Sequence, residues 1–449
     1  MKTLTSPTSP TSIKDLKVTI RKASKITPLE KTERRSMFLS NIDCSLNFIT
    51  SLVCFFTMNP DFPPERVIEE LEKAYRKVLG HYDFLTGRFQ TNPNVDRIEI
   101  DCNSAGAGFV VASSELTLDD LGDLVNPNPA FKQLAIRNGK AFRSEDPPLV
   151  LLQLTTFKCG GFTLGVSLNH MVQDGIGGKI FLENLASLLT NNSIAIPPYN
   201  NRQLLAARSP PCVAFSHPEL VNLPLQPKEG NSYPSVSQVS SRNLGCRTFR
   251  LSAKDMMSLK EKAKIDGEDN WPTNFNVIVA HIWRCKAIAI NKKNDPKKLS
   301  TVLYAVNIRS RVRPRLPSSY AGNAVLNAYA TSTCRELKEG PFSQTVSMVS
   351  QAVTRMTDDY IRSVIDWVEI NKGFTNGDVY VSSWWKLGLG DVEYPWGKPK
   401  WTSPVVHHYR NNFILLLPDA KDEDGDGVNV VVALPPKEME KFEYLFYNI

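Results

Sequence analysis

Apolar residues recur at helical spacing after Pro63-Pro64, with Val67, Ile68, Leu71, Tyr75, Val78 and Leu79 on one stripe and Gly80 at its end. Proline suits the first turn of a helix, where its missing N–H has no partner to lose, and glycine suits the stop. A different pattern follows. The runs Leu149 to Phe157 and Phe162 to Leu168 are apolar enough for buried strands and flank Lys158-Cys159-Gly160-Gly161. They predict a β-hairpin whose second strand leads straight into Asn169-His170. Helical spacing returns from Lys179 to Leu189. From about residue 190 to 245 the periodicity lapses and eight prolines occur, which predicts a long crossover between two halves. The second half predicts a helix over Asn274 to Ala289, strands near Thr301–Val306 and Val428–Leu434, and a C-terminal helix from Pro436. Helices and strands mix without strict alternation, so the expectation is an α/β or α+β protein.

Length divides this pattern into units. A chain of 449 residues exceeds what one hydrophobic core supports. We expect a flexible N-terminus over 1–17, an N-terminal domain over 18–190, a crossover over 191–245 and a C-terminal domain over 246–449. Composition adds exclusions. The net charge of +7 is spread along the chain, and the one basic run, Arg309 to Arg315, lacks the interleaved aromatics of a nucleic-acid groove. The eight cysteines stand singly with no CxxC pair, so no metal is expected and the thiols read as core residues of a reduced, cytoplasmic protein. The N-terminus has no apolar segment of the signal-peptide kind. The apolar run from Leu46 to Met58 is too short to span a bilayer.

Candidate chemistry centres on His170, which closes the predicted hairpin and opens a glycine-rich turn: Asn169-His170-Met171-Val172-Gln173-Asp174-Gly175-Ile176-Gly177-Gly178. An acid four residues on can orient an imidazole, and glycines let backbone and ligand approach closely. HxxxD alone is a common pattern, and a lone histidine at a strand end is more often structural than catalytic.

Four further segments make the pattern specific. They are Tyr82-Asp-Phe-Leu-Thr-Gly-Arg88, Ala280-His-Ile-Trp-Arg284, Val306-Asn-Ile-Arg-Ser-Arg311 followed by Tyr320-Ala-Gly-Asn-Ala324, and Tyr394-Pro-Trp-Gly-Lys-Pro399, about 220 residues after Asp174. In this order the chain resembles the plant BAHD acyl-CoA-dependent acyltransferases. The resemblance implies two similarly folded domains, each a mixed sheet flanked by helices, with a channel between them. It implies His170 as a general base that deprotonates an acceptor hydroxyl or amine for attack on an acyl-CoA thioester, with no covalent acyl-enzyme and no permanently bound cofactor. It implies a structural Asp174 paired with Arg309 or Arg311, and channel roles for Trp384 and Ser382 near the reacting carbonyl, although adjacent Trp385 leaves the choice of tryptophan open. Thr273 and Asn274 match the region that contacts the coenzyme, where an ordinary helix cap is the alternative. A monomer is the family expectation.

One match departs from type. Glu393-Tyr394-Pro395-Trp396-Gly397 stands where the family has Asp-Phe-Gly-Trp-Gly. Proline fixes φ and removes an N–H, which puts the geometry of this structural loop in question. It also keeps open a second reading, a non-catalytic accessory or binding protein. Met37-Phe-Leu-Ser-Asn-Ile-Asp43 is similar to members that use aromatic donors, so a hydroxycinnamoyl or benzoyl group is expected, in plant specialised or surface-lipid metabolism. Two decoys are set aside. The acidic run Asp422 to Gly427 starts like a calcium loop but has Ala433 at its twelfth position. His407-His408 are adjacent on a predicted strand and point to opposite faces.

Overall fold

The computed structural model describes residues 13–137, 146–222, 244–264, 271–406, 410–419 and 425–448. The first twelve residues, most of the acidic run from Asp422, His407-His408 and residues 223–243 of the expected crossover lie outside the described residues.

Two six-stranded mixed sheets form the framework. The first runs in the order Val18–Ile26, Ala107–Ser114, Val150–Thr156, Phe162–Asn169, Ile49–Phe56 and Trp401–Pro404. The second runs in the order Gly245–Leu251, Val428–Leu434, Phe413–Pro418, Val379–Ser383, Leu299–Asn307 and Val325–Thr333. The predicted hairpin is present, antiparallel, with Val150 opposite Leu168 and Thr156 opposite Phe162. Both its strands are buried along nearly their whole length because the sheet is covered on two faces. Helices Pro64–His81 and Gly175–Thr190 pack together on this sheet. The first presents Val67, Leu71, Tyr75 and Val78 to the core, as the sequence stripe predicts, and runs one residue past Gly80.

The second body is built around helix Asn274–Ile290, which is apolar nearly all round and buries Val277, Ile278, Ile282 and Trp283. An all-round apolar helix must be enclosed, and it is, by helices Ala253–Ala263, Phe342–Thr354 and Pro436–Tyr447. Strand alternation gives this sheet two different faces. Val302, Tyr304, Val379 and Val381 enter the helix-covered core, while Leu303, Ala305, Tyr380 and Ser382 face a cavity between the bodies.

Several sequence boundaries are corrected. The C-terminal domain does not keep all of 246–449 to itself. Trp401–Pro404 crosses over and pairs antiparallel with Ile49–Phe56, Trp401 opposite Phe55. An edge strand exposes a row of unpaired N–H and C=O groups, and the crossing segment covers that row. Within the expected crossover, Leu220–Val221 pairs with Phe374–Thr375. Residues 13–17 do not all trail free of the fold, because Leu16 is fully buried and its N–H donates to Gln133 Oε1 at 3.3 Å. Nor are all thiols core residues, since Cys159 and Cys212 are exposed.

The variant loop also belongs to the first body. Tyr394 and Gly397 exchange backbone hydrogen bonds of 3.3 and 2.9 Å, closing a two-residue turn with Pro395 as its first central residue. That position favours proline's fixed φ and needs no N–H, so the substitution is accommodated. Gly397, at φ +109°, takes a conformation other residues rarely adopt. The Tyr394 and Trp396 rings stack at 5.4 Å and 7°, and both meet Phe56 edge-on, with Phe162 edge-on to Trp396. Glu393 is exposed.

Trp396→Ala should therefore cost about 3–5 kcal/mol of stability, the usual penalty for emptying a buried aromatic site. Chemical denaturation measures this, and a loss below ~1 kcal/mol would contradict the packing role.

Candidate active site

Each group of the site is delivered by an element end. Strand Phe162–Asn169 ends with the His170 N–H donating to the carbonyl of Phe48, its partner in register, at 2.8 Å. Asn169 then folds the chain over: its side chain accepts from the Met171 N–H at 2.9 Å and its carbonyl from the Val172 N–H at 3.1 Å. Met171 and Val172 drop into the first core. His170 is left half-buried at the cavity wall, its ring 5.0 Å from that of Phe48.

Asp174 caps the next helix, accepting from the Gly177 N–H at 2.9 Å. Both its oxygens also meet Arg309, at 2.8 and 2.9 Å, and the Ala324 N–H donates to it at 3.0 Å. Of the two arginines considered, Arg309 makes the pair. Arg311 points elsewhere, donating to the carbonyls of Val353 and Met356. Asp174 and Arg309 are nearly enclosed, so the carboxylate's acceptor capacity is spent on structure.

The partner of the imidazole is Asn323, which sequence reasoning did not single out. The His170 Nδ1 lies 3.1 Å from Asn323 Oδ1. The amide orientation is set by its other end: Nδ2 donates to Asp43 Oδ1 at 2.8 Å and to the carbonyls of His170 and Met171 at 2.8 and 3.2 Å. Turning the amide over would place its oxygen against a carboxylate and two carbonyls. Oδ1 must accept, so Nδ1 carries the proton and Nε2 keeps a free lone pair. Asp43 is fully buried and is held by Arg202 at 2.9 Å, by the Asn323 N–H at 3.0 Å and by the capping box with Ser40. Asp43 and Asn323 lie inside segments noted for other reasons, but no local signal ties them to His170.

Burial pulls the His170 pKa below its ordinary 6.5, against a smaller opposing pull from Asp174 and the Asn323 hydrogen bond. The imidazole is neutral at pH 7.

His170 opens on a cavity of about 810 Å³ between the two sheets. Trp384 and Ser382 line it. Trp385 does not; its indole N–H donates to the Gly427 carbonyl at 2.7 Å inside the second core. A second hollow, of about 680 Å³, is lined by Thr273, Phe275, Asn276, Arg311 and Ala305. Ala305 also lines the main cavity, so the two hollows meet at that strand. Thr273 caps helix Asn274–Ile290, its hydroxyl accepting from the Asn276 N–H at 3.1 Å, and Asn274 follows it, half-exposed. Trp396 and Gly397 are in the first body, away from this wall. No helix among the described residues is long and apolar enough to cross a membrane.

A half-buried histidine beside a cavity between two mixed sheets defines a class, and comparison with known proteins agrees. The family model described as Transferase family matches residues 16–449. Acyltransferase GLAUCE of Arabidopsis thaliana is 49% identical over 443 residues, covering 97% of both chains. Shikimate O-hydroxycinnamoyltransferase of Nicotiana tabacum is 30% identical, covering 96% of this chain and all of its own. The crystal structure of vinorine synthase superposes with a TM-score of 0.73 at 22% identity, covering 94% and 96% of the two chains. The protein is an acyltransferase. It belongs to the Transferase family, the plant BAHD enzymes.

Two outcomes follow from the site. Asp174→Asn strands the buried Arg309 guanidinium and should cost about 3–5 kcal/mol, seen as lost soluble yield and melting temperature; an Asn variant that melts normally yet has lost turnover would overturn the structural assignment. For His170, the lowered pKa means the neutral form persists below pH 6.5. The acid limb of kcat/KM should fall with a midpoint under that value, and a midpoint above it contradicts the burial argument.

Proposed function

We propose that the chain moves an acyl group from coenzyme A to the hydroxyl, or amine, of a small acceptor, with His170 Nε2 as general base. The observation that carries this reading is the tautomer imposed by Asn323: Nδ1 is committed as a donor, and the free Nε2 belongs to a neutral imidazole at the cavity wall. The acceptor O–H donates to Nε2 and its oxygen attacks the thioester carbonyl as the proton passes to His170. The tetrahedral intermediate collapses, the C–S bond breaks, and His170 returns the proton to the departing thiolate. A thioester is already activated, so holding both substrates together supplies much of the rate and no acyl-enzyme is required.

Charge develops on the carbonyl oxygen, and a preorganised donor there lowers the barrier. Trp384 and Ser382 are our candidates, being the indole and hydroxyl on the cavity face of their segment. The coenzyme enters by the hollow lined by Thr273, Asn276 and Arg311, with Asn274 next in the chain to Thr273, where a helix N-terminus and a guanidinium suit its anionic groups. Asp174, Arg309, Trp396 and Gly397 hold the frame, and the exposed Glu393 sits beside the turn. An aromatic acyl group, hydroxycinnamoyl or benzoyl, fits a wall that includes Phe48 and Trp384. The tobacco relative named for hydroxycinnamoyl transfer supports the same choice. We place the enzyme in the cytoplasm as a monomer, acting in plant specialised or surface-lipid metabolism.

Thiol release from a panel of aromatic and aliphatic acyl-CoAs, with alcohol and amine acceptors, tests the reaction. His170→Ala should lower turnover by about 10²–10⁴, the range for losing a positioned base. If no donor is consumed, or the variant turns over like the parent, the reading fails.

A further inference from the structure

Apart from His170, the charged side chains on the wall of the reaction cavity are Asp174, Arg309, Arg137 and Arg410. Asp174 and Arg309 neutralise each other. Arg137 is anchored, donating to the Ile49 carbonyl near the mouth of the His170 turn. Arg410 differs. Its guanidinium makes no ion pair and no hydrogen bond with any described residue, and burial pulls its pKa below the ordinary arginine value. A half-buried arginine on a cavity wall, with no partner among the described residues, points to a ligand that supplies the anion.

Its surroundings give that ligand a shape. Tyr380 pairs with Phe413 on the neighbouring strand, and the two rings stack at 5.6 Å and 19°, a flat apolar floor on the cavity face. Arg410 lies within electrostatic reach of the Tyr380 hydroxyl, which also meets Asn327. Asn327 Nδ2 donates to Thr375 Oγ1 at 3.3 Å, completing a polar rim. The position is held from behind: the buried Lys286, pushed down to about 7 by desolvation, donates to the carbonyl of Asn411.

Tyr380 stands two residues before Ser382 on the same strand and the same face, roughly 7 Å from it at ~3.3 Å per residue. The hollow assigned above to the coenzyme reaches the sheet at Ala305 and Val306, two and three positions beyond Leu303, the partner of Tyr380. Coenzyme phosphates arriving there are not the natural partner of Arg410.

We propose that Arg410, with Tyr380 and Asn327, forms a carboxylate subsite, so that the acyl acceptor is a hydroxy acid with an aromatic or otherwise flat skeleton. The acceptor's hydroxyl reaches His170 while its carboxylate is held at Arg410. This rests on the acyl-transfer reading for the roles of the two cavity ends, but the subsite can be tested by binding alone.

The probes are 3-(4-hydroxyphenyl)propanoate and its methyl ester, measured by calorimetry on the full chain and on Arg410→Gln. The acid should bind at least tenfold tighter than the ester, and Arg410→Gln should remove that preference. Tyr380→Phe, which keeps the ring, should weaken the acid selectively and serves where Arg410→Gln does not fold. Succinyl-CoA against butanoyl-CoA is the second arm. A charge preference that depends on Arg410 there, and not with the free acids, assigns the subsite to the acyl group and overturns the acceptor assignment. No preference in either pair, or equal losses for acid and ester, overturns the subsite itself. Thiol release plays no part in this readout, so failure of the acyl-transfer reading shows separately.

Discussion

The rest of the structure hangs on the ion pair between Asp174 and Arg309, one residue from each half of the chain. A buried pair is stable only when most of its remaining donors and acceptors are used, and of this pair only the Arg309 Nε lacks a partner among the described residues. Here the carboxylate takes two guanidinium nitrogens and the N–H groups of Gly177 and Ala324, while Arg309 also reaches the carbonyls of Tyr320 and Gly322. The same contact caps helix Gly175–Thr190, fixes the turn that carries His170 and pins the segment from Tyr320 to Ala324. Close packing tightens it: a methyl group added at Gly177 would lie 3.0 Å from the Ala321 carbonyl oxygen.

A second buried pair, Asp43 with Arg202, stands beside the first and shares the Tyr320–Ala324 segment through Asn323. The two pairs divide the electrostatic work. Both carboxylates lie close enough to raise the His170 pKa, yet both are committed to arginines, and desolvation of the imidazole prevails. The outcome is a neutral ring with a defined tautomer, which the proposed proton transfer requires. Asp174 thereby stabilises the loop without touching the imidazole, whereas Asn323 touches it and fixes its orientation.

The two bodies are interlocked as well as docked. The stacked Tyr394 and Trp396 fill the first core, and Trp401–Pro404 extends the first sheet, although both belong to the later half of the chain. The cavity between the sheets is thus bounded by one continuous frame.

Much of this frame was legible in the residue pattern. The helix after Pro63, the hairpin into His170, the apolar helix from Asn274 and the C-terminal strand and helix all follow from periodicity, caps and turn residues, which act over a few positions. The HxxxDG turn and its companion segments likewise named the family. Tertiary structure decided what local pattern cannot carry. Arg309 and Arg311 share a face of their short segment by spacing alone, but only the packing of a turn more than 130 residues earlier selects Arg309. Trp384 and Trp385 are equivalent in sequence, and the turn after strand Val379–Ser383 sends one to the cavity and the other to the core. Asn323 meets His170 across 153 residues, and Arg410 reaches the cavity only because it leads into the strand that begins at Phe413, opposite Tyr380. Such pairings come from how sheets dock and which groups burial leaves unsatisfied, and no short window of sequence contains either.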